Sequence, residues 1–315
     1  MTGTVLSRTI RLGAALALCL ATIECGDKAP AAPTPVEPPL GSPSPTPPPG
    51  TGPEPLPPLA GGAEIFVGAG DIAMCDANSE MTARLLDSIS GTVFTLGDHA
   101  YPRGAEAEFR QCYDPTWGRH RGRTRPTPGN HEYESPNAGP YYDYFGGSAG
   151  PHSLGYYSYE LGPWLVVSLN SNGSVSAQAD WLKGVLARSR QRCTLAYWHH
   201  PLYSSGPSAK VTAIRSWWNI LHANNADVVL GAHDHMYERF APQDDGGHID
   251  PARGLRQFVV GTGGAALHSS TGPTPNSEVR LFAFGVLKLT LMADAYDWDF
   301  IPVSGPGDRG TGRCH

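Results

Sequence analysis

Six short apolar runs, each closed by glycine or a polar residue, set the strongest limit on what this chain can fold into. They are EIFVGAG (64–70), GTVFTLG (91–97), PWLVVSLN (163–170), CTLAYWH (193–199), DVVLGAH (227–233) and RQFVVGTG (256–263). Runs rich in Val, Leu and Phe and bounded in this way read as buried strands. Segments of helical period lie between them. Met81, Leu85 and Ile89 recur at i, i+4, i+8, and Ile214, Trp218 and Leu221 at i, i+4, i+7, while 176–190 aligns Ala179, Leu182 and Leu186. The C-terminal VLKLTLMADAYDWDFIPV alternates apolar and polar positions about Ala293 and Asp294, which predicts a β-hairpin. Strand–helix alternation with closing antiparallel strands predicts an α/β core, most simply with sheet covered by helices on both sides.

Composition then fixes where that core can lie. Residues 29–60 are nearly all Pro, Gly, Ala, Ser and Thr, a mixture that cannot bury a core and favours extended conformations. The expected organisation of the 315 residues is an export signal (1–25), a proline-rich disordered tether (26–61), a catalytic domain (62–303) and a C-terminal tail (304–315). Arg8 and Arg11 precede LGAALALCLATI, the charge-then-hydrophobe layout of an export signal, and the run falls short of the roughly 20 residues of a membrane span. Cys25 resembles the lipid-modified cysteine of bacterial lipoproteins, but Glu24 stands where such signals carry a small residue. Lipid anchoring through Cys25 and simple cleavage with secretion to the periplasm or medium both stay open.

Export implies an oxidising compartment, where Cys75, Cys112, Cys193 and Cys314 would form two disulfides. Of the three pairings, Cys75 with Cys112 and Cys193 with Cys314 is preferred, since the latter would clip the tail to a core strand. The net charge of −6 comes from interspersed acidic and basic residues with no Lys/Arg block. That argues against a nucleic-acid groove or an electrostatic membrane patch. The aromatic clusters YYDYFG (141–146) and YYSYELG (156–162) are expected to pack in the core and along strands.

In α/β sheets, reactive groups collect beyond the carboxyl ends of the strands. Asp71 follows the first run and Asp98 the second; Asn130 and His131 lie in TPGNHEY; His199 and His200 end the fourth run, and His233 and His235 the fifth. Each alone has a plain structural explanation as a helix cap, a turn or a satisfied interior group. Gathered at one sheet edge, they would cost several kcal/mol in desolvation and repulsion unless a cation sat among them. Carboxylate, imidazole and amide oxygen suit first-row metals. Two such ions about 3.5–4 Å apart, bridged by one carboxylate, hold a phosphoryl group and polarise a hydroxide.

GDIA, GDHAY, GNHE, WHHP and GAHDHMYER, in this order, resemble the five blocks of the calcineurin-like metallophosphoesterase superfamily over most of residues 64–263. Most members carry Asp-x-His in the first block, but here it is Asp71-Ile72-Ala73, and alanine cannot ligate. Tyr101, three residues after Asp98, instead matches the GDxxY of purple acid phosphatases. The resemblance implies a metallophosphoesterase-type β-sandwich flanked by helices (αββα) in a single catalytic domain. It implies a first metal held by Asp71, Asp98, Tyr101 and His235, and a second by Asp98, Asn130, His199 and His233, with Asp98 bridging. A free phenol has a pKa near 10, so binding as phenolate at lower pH calls for ferric iron at the first site; zinc, manganese or ferrous iron suits the second.

The implied activity is that of an exported binuclear-metal phosphatase, hydrolysing phosphate monoesters of small substrates by attack of a metal-bound hydroxide on phosphorus. His131 is the first choice for protonating the leaving alcohol, His200 the second and His99 the third. Glu238 and Arg239 are expected to form a local ion pair bracing the ligand loop. His120, His152, His222, His248, His268 and His315 match no block and receive no role. A phosphodiesterase or nucleotidase on the same site is the alternative, and a cell-surface binding module with an unused metal site the non-enzymatic one. Plant-type purple acid phosphatases carry a β-sandwich domain before the catalytic one, whereas a tether stands there in this chain, so contacts made through such a domain do not carry over.

Overall fold

The apolar runs become strands of two sheets packed face to face. A computed structural model describes residues 62–315 apart from 209 and 271; the export signal, Cys25 and the whole of the tether lie outside the described residues. Along the chain come β1 (Glu64–Ala69), α1 (Asn78–Asp87), β2 (Thr92–Leu96), the single turn α2 (Glu106–Glu108), β3 (Thr124–Thr127) and α3 (Gly139–Phe145). There follow β4 (Tyr157–Leu161), β5 (Trp164–Ser168), α4 (Val175–Arg188), β6 (Cys193–Tyr197), α5 (Arg215–Ala223) and β7 (Val228–Gly231). The chain closes with β8 (Tyr237–Phe240), β9 (Arg256–Val260), β10 (Ser277–Leu281), β11 (Gly285–Leu291), β12 (Ala295–Pro302) and β13 (Asp308–Arg313).

One sheet has the order β13-β12-β11-β1-β2-β3 and the other β10-β8-β9-β7-β6-β5-β4. Sheet covered by helices on both sides is thus realised as the αββα sandwich that the motif resemblance implied. Its reason is aromatic: Phe66 of β1 meets Tyr197 of β6 at 5.8 Å between ring centroids, and Tyr237 of β8 stacks on Phe300 of β12 at 4.2 Å. Both sheets thus have an apolar face to bury against each other. On the outer face of the second sheet, α4 and α5 lay Leu182, Trp217, Trp218 and Leu221 over Leu165, Val167 and Val229, all buried. Each such large side chain contributes about 1.5–3 kcal/mol by leaving water. Tyr141, Tyr142 and Phe145 are likewise buried, as expected of the first aromatic cluster.

The face that the periodicity of α1 suggested is only partly the inward one: Leu85 and Ile89 pack partly buried against the core, while the fully buried positions lie beside them. Ser79, Thr82, Ala83 and Leu86 are buried, whereas Met81 is exposed and Ile89 lies beyond the helix end. Thr82 Oγ1 donates to the carbonyl of Gly263 at 2.5 Å and accepts from Trp117 Nε1 at 3.0 Å. Small polar side chains are what allow this helix to approach that backbone, so its core face is not its most apolar one.

The hairpin of β11 and β12 forms as patterned, with Leu291 opposite Tyr296. Residues beyond 303, read from the sequence as a tail, continue as β13, antiparallel to β12. Disulfides join Cys75 to Cys112 and Cys193 to Cys314, the second clipping the end of the chain to the start of β6. Among the described residues, no helix is long and apolar enough to cross a membrane.

Pairing is parallel along β1-β2-β3 and along β5-β6-β7-β9. The carboxyl ends of both parallel sets meet where Gly70 N–H donates to the Val260 carbonyl at 2.8 Å and Gly263 N–H to the Gly70 carbonyl at 2.8 Å. The residues that follow these strands share one end of the sandwich.

Candidate metal centre

Asp71, Asp98 and His233 each leave a strand end with positive φ, 57°, 51° and 67° respectively. Non-glycine residues are uncommon there and cluster at functional sites. The turn aims each side chain back across the strand ends. Close approach is needed: a Cβ on Gly129 would stand 2.1 Å from Asp98 Oδ1. The glycine before Asn130 thus lets two loops touch.

Two donor groups converge around Asp98. In the first, Tyr101 Oη lies 3.0 Å from Asp71 Oδ1, 3.3 Å from Asp98 Oδ2 and 3.3 Å from His235 Nε2. His235 Nε2 is 3.3 Å from Asp71 Oδ1. In the second, His199 Nε2 lies 3.2 Å from Asp98 Oδ2, 3.0 Å from Asn130 Oδ1 and 3.1 Å from His233 Nδ1. All seven residues named from the sequence as metal-binding come together in this way.

Backbone carbonyls set the imidazole tautomers. His199 Nδ1 donates to the Leu96 carbonyl at 2.7 Å and His235 Nδ1 to the Ala266 carbonyl at 2.8 Å, leaving Nε2 of each for the centre. The second oxygens of the carboxylates are also occupied: Asp71 Oδ2 accepts the N–H of His233 and Asp98 Oδ1 that of His131, both at 2.9 Å.

The electrostatics show what the donor set lacks. Asp71, Asp98 and His199 are buried, at 0%, 1% and 0% exposure. Burial and the charges of Asp71 and Asp98 push the Tyr101 phenol well above its usual range. Burial acts to lower His199, but Asp98 outweighs it and raises the imidazole to about 9. Burial and the charge of His199 push His233 down to about 4. The carboxylates favour positive charge on the His199 ring while His199 disfavours it on His233, so the donor set as a whole favours a cation between the rings. Donor atoms about 2.1 Å from one cation lie about 3.0 Å apart at right angles, close to the separations found. The residues present therefore fit metal ions.

The three proton-donor candidates separate clearly. His131 stands at the rim, its side chain 32% exposed, with Nδ1 donating to the Pro102 carbonyl at 2.5 Å and Nε2 3.9 Å from Asp98 Oδ2. His200 is buried against the rings of His199 and His233, with Nδ1 2.8 Å from Ser171 Oγ. Burial and those two rings push it down to about 2, which favours the neutral ring and disfavours it as the acid for a leaving alcohol. His99 is enclosed by Phe109, Tyr113, Tyr141 and Phe145, away from the centre, with Nε2 2.6 Å from Thr95 Oγ1.

Glu238 and Arg239 do not pair with each other. Neighbours on a strand point to opposite faces, so Glu238 accepts from Ser205 N at 2.8 Å and Ser205 Oγ at 2.5 Å. Arg239 binds Asp308 at 2.7 Å and also reaches Glu278.

Three residues given no role from the sequence organise the centre. Glu132, fully buried, accepts the N–H groups of Asp98 at 2.9 Å, His99 at 2.8 Å and Gly129 at 2.7 Å. It ties the two touching loops together, and its place in GNHE was the available signal. Asp234, between His233 and His235, accepts from Ser208 N at 2.9 Å, Lys210 Nζ at 3.0 Å and Ser204 Oγ. His268 lies against His235. Cys193, Asp227 and Cys314 form another compact group, but the two sulfurs are bonded to each other.

The chain belongs to the calcineurin-like phosphoesterase family, whose model matches residues 65–237. Its relatives point to the purple acid phosphatase-like branch. It is 28% identical to purple acid phosphatase 21 of Arabidopsis thaliana over 262 residues, 72% of this chain and 57% of that protein. Its fold resembles that of purple acid phosphatase PPD1 from yellow lupin seeds, with a TM-score of 0.67 and 19% identity over 81% of this chain and 54% of that one. A dimetal phosphatase from Danio rerio shares the fold with a TM-score of 0.59 and 12% identity, over 80% of this chain and 99% of that one. The chain thus spans little more than half the length of the purple acid phosphatases that it matches.

Proposed function

We propose that the chain is an exported phosphatase that holds two cations and hydrolyses phosphate monoesters. One observation carries this reading: Asp98 Oδ2 lies 3.3 Å from Tyr101 Oη and 3.2 Å from His199 Nε2, so a single carboxylate oxygen serves both donor groups. Asp71, Asp98, Tyr101 and His235 would hold Fe(III), and Asp98, Asn130, His199 and His233 would hold Zn(II), Mn(II) or Fe(II). The assignment of iron rests on Tyr101, whose buried phenol is pushed well above its usual range, so that ligation as phenolate calls for a strong Lewis acid. When bound, the cations would activate water and neutralise charge gathering on the phosphoryl oxygens.

The chain's own groups do the rest. With Nδ1 committed to the Pro102 carbonyl, His131 holds a transferable proton only at Nε2, the end nearer Asp98. Ser171 fixes the His200 ring, which stands as a neutral wall beside the second donor group. Two disulfides support an oxidising, extracytoplasmic location.

The test compares an alkyl phosphate monoester, an aryl monoester and an aryl diester across pH, using wild-type protein loaded with iron and zinc and the His131→Ala variant. Monoesters should be hydrolysed, with the variant losing more on the alkyl ester, whose poor leaving group most needs a proton. Preference for the diester would make the protein a phosphodiesterase. No turnover of any ester would contradict the enzymatic reading.

A further inference from the structure

His268 matches no motif, yet it is coupled to the candidate centre by a reciprocal pair of bonds. Its backbone N–H donates to the His235 carbonyl at 2.9 Å, and its Nδ1 accepts the His235 N–H at 3.1 Å. The two rings stack, with centroids 3.9 Å apart and planes 11° from parallel. His235 in turn directs Nε2 to within 3.3 Å of both Asp71 and Tyr101. His268 is therefore one ring thickness from a residue of the first donor group.

Acceptance at Nδ1 fixes the hydrogen of the neutral ring on Nε2. Among the described residues, that Nε2–H has no hydrogen-bond partner, and the side chain is 29% exposed. Behind the ring, Asp234 Oδ1 stands 3.7 Å from Nδ1 and is held by Ser208. The loop is pinned a second time where the Ala266 carbonyl accepts His235 Nδ1 at 2.8 Å. Such a ring is held firmly at one edge and offers a donor at the other.

We propose that His268 contacts the substrate, its Nε2–H donating to a non-bridging phosphoryl oxygen held at the centre. This rests on the phosphoesterase reading above. Donors already aimed where charge gathers cost no reorganisation when the substrate arrives.

Three variants separate this from a purely structural part. Asparagine keeps an acceptor near the Nδ1 position but has nothing at Nε2; glutamine places an amide N–H₂ near Nε2; alanine has neither. Each is loaded with iron and zinc, its metal content is measured, and inorganic phosphate binding is followed by calorimetry beside kcat and KM for a phosphate monoester. His268→Asn should keep its metals and bind phosphate about tenfold more weakly, with KM for the monoester raised likewise, and His268→Gln should recover most of the loss. Phosphate binding by His268→Asn equal to wild type overturns the proposal, and so does a loss that tracks a fall in metal content. Failure of wild-type protein both to bind phosphate and to hydrolyse the ester overturns the phosphoesterase reading with it. An active wild type with unchanged variants overturns the His268 assignment alone.

Discussion

The backbone N–H of Tyr101 donates to the carbonyl oxygen of Ala73 at 2.9 Å. The residue that cannot ligate thus holds the one that presents a phenol oxygen 3.0 Å from Asp71. Ala73 is fully buried and bridges to Ala100 in parallel fashion, so a larger side chain there would have to be accommodated inside the packed core. Ala73→His should destabilise the protein by about 1–3 kcal/mol through overpacking, read as a lower midpoint in urea. It should not restore metal content when combined with Tyr101→Phe. A stable double variant with full metal content would mean that the two positions exchange freely.

Glu132 accepts three backbone N–H groups from the two loops that carry Asp98 and Asn130. Glutamine at this position turns an amide N–H₂ against at least one of those donors. Glu132→Gln should therefore cost about 3 kcal/mol and lower metal content, because both donor groups share Asp98. Urea unfolding with elemental analysis reads both. Unchanged stability would show that the loops are held by other contacts.

Burial pushes the Asp227 carboxyl from 3.8 up to about 7, against the N–H groups of Thr194 and His315, which act to lower it. Between about pH 4 and 7 the unfolded chain has lost this proton while the folded chain keeps it. The folded state binds more protons in that window, so this group's contribution to stability falls as pH rises, by on the order of 1 kcal/mol per pH unit. The difference in unfolding free energy between wild type and Asp227→Asn should shift against wild type from pH 5 to 7. A difference that is flat, or that favours wild type as pH rises, would contradict the burial argument.

The architecture was readable where burial and chemistry coincide along the chain. Asp71, Asp98, His199 and His233 each follow an apolar run because parallel strands buried on both faces need such runs, and their ends carry the site. Strand β13, DRGTGR, has no apolar alternation to betray it. It pairs through its backbone, and a Cβ on Gly310 would stand 2.3 Å from the Trp298 ring, so aromatic cover from the neighbouring strand replaces its own side chains. Helix α1 hid its buried face because Thr82 and Ser79 are small rather than apolar. The Glu238–Arg239 pairing failed because sequence adjacency on a strand means opposite faces. His268 was invisible because only the fold brings residues 33 apart into one stack.

In the proposed centre Tyr101 would bind a ferric ion that shares Asp98 with a second cation. The direct measurement is the visible absorption spectrum of the oxidised, fully metallated protein, taken with its metal content and repeated for Tyr101→Phe. Tyrosinate on Fe(III) should give the wild type a purple charge-transfer band that the variant lacks. A pure, active, fully metallated wild type that is colourless when oxidised, or a variant that keeps the band, would contradict it.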